Sequence, residues 1–108
     1  LDGSVRVRVR CGDVLDVTVL RSYCIGAAHM ALGWVRSEAV RVDDEGEPLD
    51  LTVRSFGVLR AVDMPRVEVV VDDDRGAPVN ASDAVFAAVA LAAWRHAGLP
   101  SRWPTMRP

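Results

Sequence analysis

An uncharged stretch of fourteen residues, SYCIGAAHMALGWV (22–35), constrains the fold of this chain more than any other feature. The segment around it, residues 23–40, is too long and too rich in alanine and leucine for a strand, and Ser22 is a good N-cap, so we predict a helix. Gly26 and Gly33 lie seven residues apart on one face, where we expect another backbone to approach closely. A helix that is apolar around much of its circumference is buried on several sides, which indicates a covering partner in a chain of 108 residues.

Strict alternation in the first twenty residues predicts a β-hairpin. VRVRVR (5–10) places valines on one face and arginines on the other, which we interpret as a solvated face, and VLDVTVL (14–20) alternates in the same way. Cys11, Gly12 and Asp13 form a turn between the two segments. In this register Arg8 faces Asp16 across the pair.

The remaining patterns complete an α+β prediction. Residues 40–57 are interpreted as strand, acidic turn (43–47) and strand, residues 57–65 as an extended connector and residues 67–74 as a central strand. The last helix is predicted over residues 81–97, with Gly98 at its C-terminal cap. The order is ββαβββα: a small mixed or antiparallel sheet with two helices on one face, forming a single domain over residues 1–108.

Composition excludes several classes of function. A net charge of −2 argues against a general nucleic-acid or anionic-membrane surface, and no apolar run is long enough to span a bilayer. Two cysteines and two histidines without metal-ligand spacing predict no metal site. The cysteines, Cys11 and Cys24, form no disulfide framework, so a reduced, cytoplasmic protein is expected.

Several features occur in an order that resembles a known family. A glycine-bearing helix runs into a leucine and glutamate stretch (26–38), followed by an acidic turn with glycine (43–47), then RSFGV (54–58) and DMP (63–65). A valine-rich strand and an alanine-rich helix close the series. This order is similar to the C-terminal part of the molybdopterin-binding large subunits of molybdenum hydroxylases, the xanthine dehydrogenase and aldehyde oxidase family.

The resemblance implies a role for the loop before the last helix. The family carries a Gly-Val-Gly-Glu motif there; its backbone lies beside the metal and its glutamate is the general base. Here Ser82 stands at the glutamate position, and serine cannot act as a base without an activating partner. Asp83 is one residue further, about 100° around the helix, so we predict no catalytic residue in this chain. The resemblance implies that Asn80, Ala81, Ser82 and Asp83 border the cofactor.

The same loop has a plain structural interpretation. Asn80 or Ser82 would cap the last helix, and Asp83 would complement the positive end of its dipole. Elsewhere, His29 is interpreted as a structural histidine. Cys24, placed at a helix N-terminus by the predicted boundaries, could have a lowered pKa. The three tryptophans are expected to be core or interface anchors; they are Trp34, Trp94 and Trp103.

Two functions are therefore compared. In the first, the chain is a C-terminal domain or relative of a molybdenum hydroxylase large subunit. It would work with molybdopterin in the complete enzyme and with the remainder of that subunit or a separate subunit as partner. By itself it would hold no cofactor and would not be an enzyme. In the second, it is a free-standing interaction or small-ligand module that kept the fold and forms a homo-oligomer. Self-association or docking is expected through Gly26, Met30, Gly33 and Trp34.

Overall fold

Two parallel strands and two long helices form the body of the protein. The structure, a computed structural model, describes residues 3–103. Its elements in chain order are β1 (Ser4–Val9), α1 (Val17–Arg36), the single-turn helix α2 (Val53–Phe56), a 3-10 turn (Ala61–Asp63), β2 (Arg66–Val71) and α3 (Ser82–His96). The protein is thus a mixed α/β structure with a two-stranded parallel sheet among the described residues.

The sheet has one buried and one wet face. In the parallel register Val5 lies opposite Val67 and Val9 opposite Val71. The odd-numbered valines pack into a core that both long helices share, so the helices cover one face of the sheet. The predicted solvated arginine face is confirmed: its three arginines are exposed and pair with acidic residues that lie in β2 or in the loop after it. These pairs are Arg6–Glu68, Arg8–Asp72 and Arg10–Asp74.

The predicted hairpin is wrong. Residues 14–20 do not pair with β1; instead the Val19 N–H donates to Asp16 Oδ1, and α1 begins at Val17. Asp16 is therefore the N-cap, and Ser22 lies inside the helix. Leu15, which the alternation of the predicted second strand would place on its apolar face, is 88% exposed. Despite their alternating β-branched residues, these positions form no strand. β1 pairs instead with a later parallel strand, which requires a long crossover connection that α1 begins.

Small side chains join α1 to α3. Ala27, Ala28 and Ala31 of α1 are buried in the same core cluster as Ala90 and Ala93 of α3. Alanine at these positions permits a short distance between the helix axes, because that distance depends on the side chains at the contact. We expected a covering partner for the apolar surface of α1, and α3 provides part of that cover.

The two glycines of α1 differ from the expectation of close backbone approach. A Cβ on Gly33 would lie 2.5 Å from the Glu38 carboxylate, so Gly33 makes room for a side chain that folds back after the helix ends. Gly26 has open space where a Cβ would be, with nothing within 4 Å. No backbone of the described chain approaches it.

The segment between α1 and β2 is a second correction. The predicted strands within residues 40–57 are absent; one isolated antiparallel bridge joins Val42 to Pro48 around the predicted acidic turn. Asp43 Oδ1 accepts from the N–H groups of Glu45 and Glu47 and closes that turn. Residues 40–55 are all exposed. With no third strand in the described part of the chain, these alternating residues have no ladder to join.

The C-terminal end of α3 agrees with the prediction. Gly98 adopts φ 85°, and the Leu99 N–H donates to the Trp94 carbonyl while the Gly98 N–H donates to the Arg95 carbonyl. These two bonds are the Schellman arrangement that glycine favours after a helix.

The protein exposes more surface than its mass predicts. Its accessible surface is 7893 Å², whereas a free monomer of 11.7 kDa should expose about 5,900 Å². The radius of gyration is 16.1 Å, against about 13 Å for a compact chain of this length. The excess is close to 2,000 Å², more than twice the area of about 800 Å² that one partner contributes to a standard protein–protein interface.

Candidate functional site

The loops that follow the two strands meet at one edge of the sheet. Because β1 and β2 are parallel, their carboxyl ends lie together, and so do the beginnings of α1 and α3. The Asp13 N–H donates to the Gly76 carbonyl at 2.9 Å, and the Val79 N–H donates to the Cys11 carbonyl at 3.0 Å. These two bonds hold the loops as one rim.

A glycine permits this approach. Gly12 has φ 81°, as its predicted place in a turn requires, and a Cβ there would clash with the Ala77 carbonyl oxygen. The Gly12 N–H also donates to Asp74 Oδ2 at 3.0 Å. The turn at residues 11–13 is therefore real, but it leads from β1 into α1 and packs against the loop after β2.

Asp74 organises the second loop and was missed in the sequence. Its carboxylate accepts from the backbone N–H groups of Gly76 and Gly12, and these bonds hold its pKa below the ordinary value; the nearby Arg10 guanidinium acts in the same direction. The available signal was an aspartate two residues before a glycine, which is typical of an Asx turn.

An open cleft of about 450 Å³ lies on this rim. Its lining combines the start of α1, the start of α3 and the two loops. The lining residues are Cys11, Asp13, Val14, Leu15, Asp16, Val19, Leu20, Tyr23, Pro78, Val79, Asn80, Ala81 and Ser82. The walls are mainly apolar, and the carboxyl groups of Asp13 and Asp16 are exposed at their edges.

Three of the four sequence-predicted cofactor residues lie in this wall. Asn80, Ala81 and Ser82 line the cleft, whereas Asp83 is exposed and is not among the lining residues. Asn80 Oδ1 accepts from the Ser82 N–H at 2.9 Å. Ala81 is the residue before the first helical position, and no side chain caps the helix from there. Asn80, rather than Ser82, thus satisfies a backbone donor at the start of α3.

The other candidate residues have structural surroundings. His29 Nε2 lies 2.7 Å from the Leu59 carbonyl oxygen and ties α1 to the connector before β2. Cys24 is 1% exposed. Burial is the main cause that raises the pKa of its thiol, and the nearby Cys11 raises that pKa further. The expected lowered pKa of Cys24 is wrong because α1 begins at Val17, which places Cys24 in the helix interior. Both cysteines are free and buried.

The tryptophans form one aromatic cluster. Trp34 of α1 lies 5.3 Å from Phe86 of α3 between ring centroids and 4.3 Å from Trp103. Trp94 lies 6.2 Å from Trp103, and its Nε1 donates to the Pro100 carbonyl. The cluster fastens the chain after α3 onto the helix pair, as expected of anchoring residues.

Within residues 3–103, no three His, Cys, Asp or Glu side chains come together in a way that could hold a metal ion. No helix in this range is long and apolar enough to cross a membrane.

Comparison with known proteins gives a structural match and no sequence match. No protein-family model matches the chain, and no curated protein matches it by sequence. The fold is similar to that of a solved Cu,Mo-CO dehydrogenase in its carbon monoxide reduced state. The TM-score is 0.68 and the identity 17%; the match covers 94% of this chain and 14% of that chain. At this identity the likeness establishes a shared fold, and the chain spans a small part of the length of that enzyme.

Proposed function

We propose that this chain is a domain of a molybdenum hydroxylase-type oxidoreductase and is not catalytically competent by itself. The observation that carries the proposal is the structural match, which extends over 94% of this chain yet takes in only 14% of a Cu,Mo-CO dehydrogenase. The matched enzyme contains molybdenum, as do the enzymes of the xanthine dehydrogenase and aldehyde oxidase family, which the order of motifs in this chain resembles.

The excess surface supports a domain that is docked onto further polypeptide. A monomer that works alone should expose a surface near that expected for its mass, and this chain exposes about 2,000 Å² more. Residues 40–55 are exposed throughout, including Leu51 at 80% and Val53 at 74%. Apolar side chains at this level of exposure are typical of surfaces that a larger assembly covers.

The cleft suits the border of a cofactor better than a tight anion site. The first-turn N–H groups of α3 could receive a phosphate oxygen, as helix N-termini do. Asp13, Asp16 and Asp83, however, place carboxylates around that position and would repel an anion. We infer that Asn80, Ala81 and Ser82 border molybdopterin in the complete enzyme, while other segments hold it and Asp83 lies outside the cleft.

When bound, molybdopterin supplies the metal centre at which enzymes of this class oxidise their substrates. This chain contributes a loop of fixed shape. Gly12 and Asp74 join the two loops, and Asn80 fixes the start of α3. The Ser82 hydroxyl stands where the family has a carboxylate base, so we assign no proton transfer to this loop. Asp83 lies outside the cleft lining.

The proposal is tested on the protein isolated from its source with an antibody raised against this chain. The mass of the polypeptide that carries the sequence and its molybdenum content are measured together. We expect a polypeptide much larger than 11.7 kDa that contains molybdenum. A polypeptide of 108 residues without molybdenum would overturn the proposal and favour the free-standing module.

The loop assignment needs a second measurement. In the molybdenum-containing protein, Asp83→Asn should leave turnover nearly unchanged, because its side chain lies outside the cleft. A loss of about a hundredfold or more with intact folding and metal content would make Asp83 a general base.

A further inference from the structure

We propose that an extended segment of the larger polypeptide adds a third strand to the free edge of β1. The inference rests on the proposed function, because the segment belongs to the part of the enzyme outside this domain. Within the described residues the sheet consists of β1 and β2, so β1 has one edge without a neighbouring strand. Unpaired backbone groups on such an edge are a template for another extended segment.

The direction of the backbone groups in β1 identifies those that an added strand can reach. The Asp72 N–H donates to the Val9 carbonyl at 2.9 Å, so Val9 directs its backbone groups toward β2. Successive residues of a strand direct these groups to opposite edges, so Val7 shares the direction of Val9. Arg6 and Arg8 therefore present their N–H and C=O groups at the free edge.

An open groove of about 340 Å³ runs along this edge. Residues 5–10 of the chain form one side of the groove, and a stripe of α3 forms the other. The exposed members of that stripe are Ala84, Ala88 and Ala92, which are four residues apart and so lie on one side of the helix. Their small side chains leave room for apolar side chains that point from an added strand toward α3.

The outer face of β1 indicates the charge of the segment. Arg8 Nε donates to both carboxylate oxygens of Asp72, at 3.1 and 2.9 Å. Arg6 and Arg10 lie further from their carboxylates, at 3.5 and 3.4 Å, whereas a close charge-assisted bond measures about 2.7–2.9 Å. Each guanidinium has donors left for a second carboxylate. Opposite charges on neighbouring strands are stabilising, so we expect acidic side chains on the outer face of the added strand.

The segment that fits this edge alternates apolar and acidic residues, because successive side chains of a strand point to opposite faces. The free edge of β2 is less suited to such a segment. Among the described residues, the opening beside α1 includes one residue of β2, Val67. The rest of a larger polypeptide is the source of the segment, since the structural match takes in only 14% of the enzyme that this domain resembles.

The edge is tested with a labelled synthetic peptide, Val-Glu-Val-Glu-Val-Glu-Val, added to the 108-residue chain. Fluorescence anisotropy should show saturable binding with a Kd below about 1 mM. Two further peptides carry backbone N-methyl groups, one on its valines and the other on its glutamates. A strand directs alternate N–H groups to each edge, so one of the two should bind about tenfold or more weakly than the other. Equal binding of the two methylated peptides overturns strand addition.

Variants of the groove and of the arginine row provide matched comparisons. Ala88→Leu fills the groove and should weaken binding by about tenfold or more, whereas Ala87→Leu, at an exposed position of α3 outside the groove, should not. Arg6→Glu should weaken binding of the glutamate peptide and strengthen that of the same peptide with lysines in place of glutamates. Arg54→Glu, at an exposed position of α2, is its control. Circular dichroism verifies that each variant is folded.

Absence of binding at about 1 mM peptide overturns the proposal. Binding that both Ala88→Leu and Arg6→Glu leave unchanged overturns it as well. These measurements need no molybdenum and no larger polypeptide, so they are separate from the test of the proposed function.

The source of the segment is tested by hydrogen exchange, resolved to single residues, on the 108-residue chain and on the larger polypeptide. The amides of Arg6 and Arg8 should exchange fast in the first and slowly in the second, while those of Val7 and Val9, which face β2, should exchange slowly in both. Fast exchange of Arg6 and Arg8 in the larger polypeptide overturns the proposal. If the native polypeptide has only 108 residues, the proposed function fails and this source with it, while the peptide measurements still decide whether the edge accepts a strand.

Discussion

Asn80 is the residue that fixes the entry of the chain into α3. Its side-chain oxygen accepts from the Ser82 N–H, whereas Ser82 itself lies at the first helical position, where its hydroxyl makes no capping bond. We expect Asn80→Ala to lower the free energy of unfolding by about 0.5–2 kcal/mol. Ser82→Ala should change it by about 0.5 kcal/mol or less. Urea unfolding followed by circular dichroism compares them, and equal losses for both variants would contradict the assignment of the cap to Asn80.

Gly12 joins the two loops of the cleft by having no side chain. Its φ of 81° and the adjacent Ala77 carbonyl both oppose a Cβ. Gly12→Ala should therefore destabilise the protein by about 2 kcal/mol or more. Gly46→Ala is the control: its φ is 86° but it has open space, so it should cost only about 1 kcal/mol. If thermal or urea unfolding shows equal losses of stability for the two variants, the close approach of the Ala77 carbonyl to Gly12 adds nothing to the cost of the substitution.

Asp74 makes the stability of the cleft rim depend on pH. Backbone N–H groups of Gly76 and Gly12 hold the pKa of its carboxyl below the ordinary value. The stabilisation is therefore complete above pH of about 4, the pKa of an unfolded aspartate. It is lost as the pH falls through the lowered pKa. Urea midpoints of wild type and Asp74→Asn should differ at pH 7 and converge below pH 4, while Asp73→Asn, at the exposed neighbour, should follow wild type. A constant difference for Asp74→Asn from pH 3 to 7 would exclude this linkage.

At the level of elements, helices were easier to predict than strands. The last helix was predicted within one residue at each end, because an alanine-rich apolar run ending at Gly98 is a strong local signal. The start of α1 was placed six residues late, since VLDVTVL has the alternation of a strand. Strand pairing was also wrong: β1 pairs with β2, more than fifty residues away, and no local pattern specifies a distant parallel partner. Of the candidate site, Asn80, Ala81 and Ser82 were predicted through a family resemblance. The location of Asp13, Asp16 and Asp74 at the cleft depends on the pairing of β1 with β2, which no local pattern indicated.

The α1–α3 contact depends on small side chains. Ala28 has no exposed surface, and it lies in the core cluster with Ala90 and Ala93. Ala28→Leu adds volume where neither helix can move without disturbing the sheet, and we expect a loss of about 1–3 kcal/mol. Ala87→Leu on the exposed side of α3 should change stability by about 0.5 kcal/mol or less. Denaturant unfolding of both variants decides; a neutral Ala28→Leu would mean that the helices are loosely packed.

For the whole molecule, packing is divided unevenly along the chain. β1, α1, β2 and α3 share one core, whereas residues 40–55 are exposed and held chiefly by turn bonds and one bridge. The acidic turn at 43–47 was predicted correctly because its aspartate and glycine act locally. The strands predicted around it needed partners that the described chain does not contain. The excess surface is a property of the whole fold that no local pattern could have indicated.

This division predicts the pattern of amide hydrogen exchange. Amides in the centres of α1 and α3 should exchange slowest, since opening them disrupts the core, and those of residues 40–55 should exchange fastest. In a larger polypeptide that carries this domain, docking should slow exchange in residues 40–55 and leave the centres of α1 and α3 little changed. Mass-spectrometric exchange on the isolated chain and on the larger protein compares the two states. Slow exchange of residues 40–55 in the isolated chain would show that this segment is already packed. Equal exchange in both proteins would mean that the surface of residues 40–55 is not the one that the rest of the larger polypeptide covers.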